Sequence, residues 1–213
     1  LAEAEVEYED IVSTQIDVGF FVDQAPNAPE LLPQGPDNNF TQAVIWTTTP
    51  WTIPVNQAIA YNPAIDYVLI EDDVAPARYL VAWDLLEHFG RRVGFAPSSK
   101  LTKIAGEKLA GAVAMHPMHH LGGFYARPRP FLAGDFVTTD SGTGLVHMAP
   151  DHGEDDFDLC KANGLDPVFA VEGDGKYRED WGWLGGQGSV INAKFNAPDG
   201  PICSDLRQAG ALL

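Results

Sequence analysis

Cysteine is nearly absent: Cys160 and Cys203 are the only two among 213 residues, too few for a disulfide framework and at no zinc-ribbon spacing. Basic residues are scarce as well. Thirteen Lys and Arg stand against 30 Asp and Glu, a formal net charge of −17. They form no cluster of the kind that a broad grip on nucleic-acid phosphates requires. A local contact with the end of a nucleic acid stays open. No apolar run approaches the roughly 18 residues of a membrane span, and no basic region followed by an apolar stretch opens the chain. These absences predict a soluble protein of a reducing compartment, the cytoplasm, with no membrane partner. Hydrophobic residues at 45% and charged residues at 20% exclude a wholly disordered chain. Glycine and proline together supply about one residue in six, which favours short strands and turns over a helical bundle.

β-Branched and aromatic runs predict strands over 14–22, 42–48, 58–61, 67–71, 79–82, 100–104, 137–139 and 145–148, and an extended stretch over 108–115. Four prolines between 26 and 36 mark an irregular loop. Asp84 caps a short predicted helix that runs through Phe89 and is closed by Gly90. A clearer helix spans 154–163, with acidic residues in its first turn and Gly164 at the position of a left-handed cap. Gly173-Asp174-Gly175 reads as a hairpin turn. A last helix over 198–209 places Ile202, Leu206 and Ala209 on one face, with Gly210 after it. Without repeats or low-complexity tracts, the pattern predicts one α+β domain over 1–213. Its core is β-rich and barrel-like, with short flanking helices and the strand order open.

Two segments carry the chemistry. The first, WTTTPWTIPVN at 46–56, is a strand that runs into three threonines and is halted by Pro50. Alternate side chains of an extended chain face opposite ways, so Thr47 and Thr49 share one face and Thr48 the other. At the bend, hydroxyls and freed backbone N–H groups can line a small polar pocket. Threonines are also simply good strand residues, but two tryptophans and two prolines within nine residues set this run apart.

The second segment, GTGLVHMAPDHGEDDF at 142–157, is a strand, a tight turn and the start of a helix. That geometry brings His147, at the strand end, near Asp156, at the helix start. The positive helix end predicts an ionised Asp156, suited to hold an ammonium group; Glu154 and Asp155 read as plain complements to the helix dipole. His147 and His152 with neighbouring aspartates resemble a metal constellation, but no third His or Cys stands at a familiar spacing. His119 and His120 read as loop surface. No serine sits in a Gly-x-Ser-x-Gly elbow and neither cysteine has a nucleophile's surroundings. Gly-Thr-Gly alone is a weak phosphate-loop signal.

Taken as a pair, about ninety residues apart, the two segments resemble the editing domain of isoleucyl-tRNA synthetase, the large insertion in that class I enzyme. The valine and leucine enzymes usually carry Arg-Pro in the threonine motif, where this chain has Thr49-Pro50-Trp51. The His-Gly-x-Asp-Asp form of the second motif is similar to bacterial or organellar members; Val55 and Asp151 depart from common ones. The class signatures His-Ile-Gly-His and Lys-Met-Ser-Lys-Ser are both missing, so a domain or fragment unable to activate an amino acid is expected, with 1–13 a linker strand from the parent enzyme.

The resemblance implies hydrolytic proofreading, as a deacylase of valyl-tRNA(Ile) or a hydrolase of valyl-adenylate. This synthetase family is itself the standard case of a site that cannot reject one missing methylene by binding alone. The implied partners are the aminoacylated 3′ end of tRNA(Ile), valyl-adenylate and the remainder of the synthetase, with the domain a monomer. Thr48, Thr49 and Asp156 are the implied catalytic residues, Asp156 gripping the ammonium. Thr47, Trp51, Asn56, His147, Gly142 and Thr143 are the implied substrate-binding residues, with His147 beside the side-chain sieve. No metal or cofactor is implied: water is positioned with help from the terminal ribose hydroxyl. A valine-type domain rejecting threonine, or a non-catalytic module on the same fold, are the alternatives that a deacylation assay separates.

Overall fold

Residues 13–33, 39–74, 77–188, 190 and 192–213 are described in the computed structural model. Among them, nine strands form one mixed sheet: β1 (Ile16–Gln24), β2 (Thr41–Thr47), β3 (Ala58–Tyr61), β4 (Asp66–Asp72), β5 (Ala77–Ala82), β6 (Lys100–Ala105), β7 (Val113–Met115), β8 (Arg129–Ala133) and β9 (Leu145–Met148). Their order is β6-β4-β5-β2-β1-β7-β8-β3-β9. The pairs β2/β5 and β3/β8 are parallel and the others antiparallel.

Alternation along the strands sorts the apolar residues onto two sides. Ala43 and Ile45 of β2, Tyr67 and Leu69 of β4, Leu80 and Ala82 of β5, and Leu145 of β9 point into one large core, shared with Val18, Phe20 and Val22 of β1. Between them, Val44, Val68, Ile70, Tyr79 and Val81 face the other way, and helix α1 (Leu86–Arg92) covers them with Phe89. Ala58, Ala60, Leu132 and Met148 form a third cluster, closed by Cys160 of helix α2 (Glu154–Ala162). Helix α3 (Pro201–Gln208) inserts Ile202, Cys203 and Leu206 into the large core. Both faces being covered, the strands read as near-continuous apolar runs.

The sheet curls back on itself, as a barrel-like core requires. Ala82 N donates to Thr143 O at 2.7 Å, tying the lead-in of β9 to β5. Tyr67 Oη donates to Gly144 O across the interior at 2.8 Å. Gly144 has φ +75°, and a Cβ there would lie 2.3 Å from the Ala82 Cβ, so closure needs a glycine.

Several sequence expectations are corrected. Gly90 does not end α1: it packs beside Phe95 inside the helix, which continues to Arg92 and turns at Gly94 with φ +81°. The continuation brings Arg92 onto the buried Asp17, with Nε and Nη2 donating to the carboxylate at 2.9 and 2.8 Å. No strand forms over 137–139, because the chain leaves the sheet there and Val137 O takes the Asn62 side chain instead. The extended stretch over 108–115 shrinks to β7 behind a turn at Gly111, φ +77°. Strand β8 was not among the expected strands, and it contains Pro130. It forms because Arg129 is buried, donating to the Phe124 and Arg127 carbonyls with its guanidinium over the Phe124 ring, and because Phe131 N still reaches Ala112 O. The linker expected over 1–13 lies, up to residue 12, outside the described residues.

Candidate active site

β2 delivers Thr47 to the inner side of the sheet, in phase with Ala43 and Ile45. The chain then bends at Pro50 into a 3-10 segment, Pro50–Val55. With three residues per turn, such a segment sets positions three apart above one another, and Thr49 and Thr52 meet there. A row of hydroxyls results. Thr47 Oγ1 accepts the Thr49 N–H at 3.0 Å and lies 3.2 Å from Thr49 Oγ1. Thr49 Oγ1 is 3.5 Å from Thr52 Oγ1, which donates to Thr49 O at 2.9 Å and stands 3.0 Å from His147 Nε2. Thr47 and Thr52 are buried while Thr49 is exposed, so the row runs from interior to surface. Thr48 is half-buried, and its carbonyl takes the Ser13 hydroxyl. From Asn39 to Ile65 this half of the site contains no Asp, Glu, Lys, Arg or His.

β9 brings the other half. His147 shares the inward face of Leu145, and burial, with His152 nearby, pushes its pKa down to about 4. The ring is therefore neutral at neutral pH. After the turn, α2 starts at Gly153 without a side-chain cap, and Asp156 reaches back to accept the Ala149 N–H at 2.7 Å. Its pKa is raised from the usual carboxylate value, chiefly by burial, against the opposing pull of that N–H. This reverses the direction expected from the helix end, because desolvation outweighs the dipole. Asp151 lies 3.1 Å from His152 Nε2. The Trp51 ring meets His152 edge-on, 4.6 Å between centroids, and Tyr177 Oη donates to Trp51 O at 2.6 Å. An open cleft of about 530 Å³ borders this turn, with Asp151, His152, Glu154, Phe157 and Phe169 among its lining; its carboxylates suit an ammonium better than a phosphate.

The residues named from sequence thus divide. Thr47, Thr49 and His147 come together through Thr52, which sequence reasoning missed although the Pro50–Pro54 pair already signalled a 3-10 turn. Trp51 and Asp156 border the same turn through His152 and Ala149. Asn56 is fully buried, and its Nδ2 donates to Ala58 O at 2.8 Å. Gly142 sits against the Trp46 ring and offers its carbonyl to Arg92, while the Thr143 hydroxyl donates to Leu145 O. The described contacts of these three are with the scaffold. Among the described residues, no group of three or more His, Cys, Asp or Glu side chains is placed to hold a metal ion.

A relative from Zymomonas mobilis, named isoleucine–tRNA ligase, is 56% identical over 214 residues, covering 100% of this chain and 22% of its own length. Another from Gluconobacter oxydans, of the same name, is 44% identical over 98% of this chain and 21% of its own length. In sequence the chain matches a segment of isoleucine–tRNA ligases; in fold it matches a synthetase editing domain. The fold match is to the GlLeuRS-CP1 crystal structure, with a TM-score of 0.67 at 15% identity, covering 94% of this chain and 98% of that one. The Plasmodium falciparum cytosolic leucyl-tRNA synthetase editing domain follows at 0.53 and 13% identity, over 70% of this chain and 66% of that one. No family model matches the chain. The chain spans about a fifth of the curated relatives' length. Among its described residues no helix is long and apolar enough to cross a membrane.

Proposed function

We propose that this domain hydrolyses misacylated products of isoleucine–tRNA ligation, deacylating valyl-tRNA(Ile), cleaving valyl-adenylate, or both. The observation that carries the reading is the hydroxyl row Thr47–Thr49–Thr52 ending on a neutral His147, with the Asp156 carboxylate on the turn after His147. In this reading the second oxygen of Asp156 takes the α-ammonium, which fixes the ester. The Thr48 and Thr49 hydroxyls donate to the developing oxyanion and orient water. His147 limits the room for the amino-acid side chain, so valine enters and isoleucine does not. The ribose hydroxyl beside the ester assists the water, and no protein nucleophile, metal or cofactor is required. The partners are the aminoacylated 3′ end of tRNA(Ile), met by a monomeric domain, and the rest of the synthetase. The test is deacylation by this chain of valyl-tRNA(Ile), isoleucyl-tRNA(Ile) and threonyl-tRNA(Val). Release of valine alone supports the reading; release of threonine alone makes the domain valine-type, and no release with substrate in excess makes it a non-catalytic module.

A further inference from the structure

The Thr52 hydroxyl has one proton, and the geometry says where it goes. Thr49 O, 2.9 Å from Thr52 Oγ1, has no proton to offer. Thr52 therefore donates to that carbonyl. With its proton on that carbonyl it can only accept at the 3.0 Å contact with His147 Nε2, as at the longer 3.5 Å contact with Thr49 Oγ1, so the ring proton sits on Nε2. A neutral imidazole carries one N–H, and Nδ1 is then a bare lone pair, buried and without a partner among the described residues. The opposite arrangement would set the lone pairs of Thr52 Oγ1 and Thr49 O face to face at 2.9 Å. It would also leave a buried Nδ1–H with no acceptor. An orphaned buried N–H is rarer than an under-used acceptor, so the network selects the Nε2–H form.

We propose that Thr52 is a positioning residue: it holds His147 as the Nε2–H tautomer and so presents Nδ1 as a hydrogen-bond acceptor for an O–H or N–H donor of the bound aminoacyl ester. The tautomer half stands on the protein alone, while the acceptor half rests on the proposed editing function. Two donors of an aminoacyl ribose lie near its ester, the α-ammonium and the neighbouring ribose hydroxyl. Either satisfies the lone pair, which nothing among the described residues does.

The test is nitrogen NMR of the ¹⁵N-histidine-labelled domain, with the His147 signals identified by their loss in His147→Asn. The ligand-free protein is expected to show a protonated Nε2 and an unprotonated Nδ1. Thr52→Val keeps the packing volume and removes the acceptor, so the two nitrogens should move towards sharing the proton; Thr52→Ser should keep the parent pattern. A proton on Nδ1 in the parent, or a Thr52→Val spectrum like the parent's, overturns the tautomer half, since packing alone would be preserved by valine. A valyl-adenosine linked by an amide at the 3′ position is then titrated in. Its binding should shift Nδ1 and leave Nε2 in place, and should weaken roughly three- to tenfold in Thr52→Val with recovery in Thr52→Ser. The 2′-deoxy and des-amino versions show which donor is used, by which of them fails to move Nδ1. Binding that leaves Nδ1 unmoved overturns the acceptor half alone. No binding removes the editing function and the acceptor half with it, leaving the tautomer half decided by the ligand-free spectra.

Discussion

Replacing Asp156 by alanine removes two things at once: a carboxylate available to an ammonium, and the acceptor for the Ala149 N–H. Sequence reasoning anticipated only the first. Asp156→Asn separates them, because an amide oxygen still accepts from Ala149. Hydrolysis of valyl-tRNA(Ile) should fall by roughly tenfold to a hundredfold or more in both variants, the value of a charge-assisted hydrogen bond, with thermal stability reduced only in Asp156→Ala. The sign of the pKa shift adds a pH signature. The folded-state pKa is raised, so ionisation opposes folding. The cost is absent in strong acid, grows as pH rises through the ordinary carboxylate range, and is complete above the folded value. Melting of Asp156→Asn against the parent should therefore show a stabilised variant at neutral pH whose advantage fades in acid; a constant gap would mean the shift is absent. For His147→Ala, comparison of valyl- and isoleucyl-tRNA hydrolysis should show the cognate ester newly accepted, and an unchanged ratio would place the ring away from the side chain.

Among the elements, the Gly142–Gly144 turn before β9 is where closure of the sheet is tightest. Gly144→Ala puts a methyl 2.3 Å from the Ala82 Cβ at a positive φ. It should cost on the order of 3 kcal/mol or more, the range of overpacking added to backbone strain, read as a drop in the urea midpoint. Gly164→Ala, also at positive φ but in open space, should cost about 1 kcal/mol from conformation alone. Strands such as β3 and β9 were legible residue for residue, because their apolar runs end at real turn residues. β8 was not, because what makes Arg-Pro-Phe a strand is a buried guanidinium spent on carbonyls contributed by Phe124 and Arg127. The end of α1 was misplaced for the same kind of reason: Asp17, 75 residues away in sequence, holds Arg92. At the site, alternation correctly paired Thr47 with Thr49, whereas Thr52 required seeing that the bend at Pro50 is a 3-10 turn. Gly142 and Thr143 drew notice as a motif, and their visible bonds serve closure.

At the scale of the molecule, two buried histidines make the fold sensitive to acid. His116 is fully buried and its neutral form is satisfied on both sides, with Nε2 3.0 Å from Ile53 O and Nδ1 accepting the Met118 N–H. Burial holds its pKa well below the usual histidine value, and that of His147 at about 4. Both folded values are depressed, so the unfolded chain takes protons that the folded chain refuses, and stability falls as pH drops below about 6.5. His147 alone should account for roughly 2 kcal/mol at pH 5. Denaturation of the parent and His147→Asn between pH 7 and pH 5 should show a shallower decline in the variant. The net charge of −17 adds a separate expectation: deacylated tRNA should bind weakly to the isolated domain, with a small salt slope because few counterions are released. Tight, steeply salt-dependent binding would show that local charge overrides the balance.

The absence of Asp, Glu, Lys, Arg and His between Asn39 and Ile65, with the Tyr61 hydroxyl pushed up by burial, has a bearing on kinetics. The threonine half of the site donates and accepts hydrogen bonds identically at every pH where the protein is folded. Inflections in the rate of ester cleavage as pH is varied are then expected from the β9–α2 half, which holds His147 and Asp156, or from the substrate's own amine. An acid–base titration of turnover thus becomes a readout of one side of the cleft, with the other side serving as an internal blank.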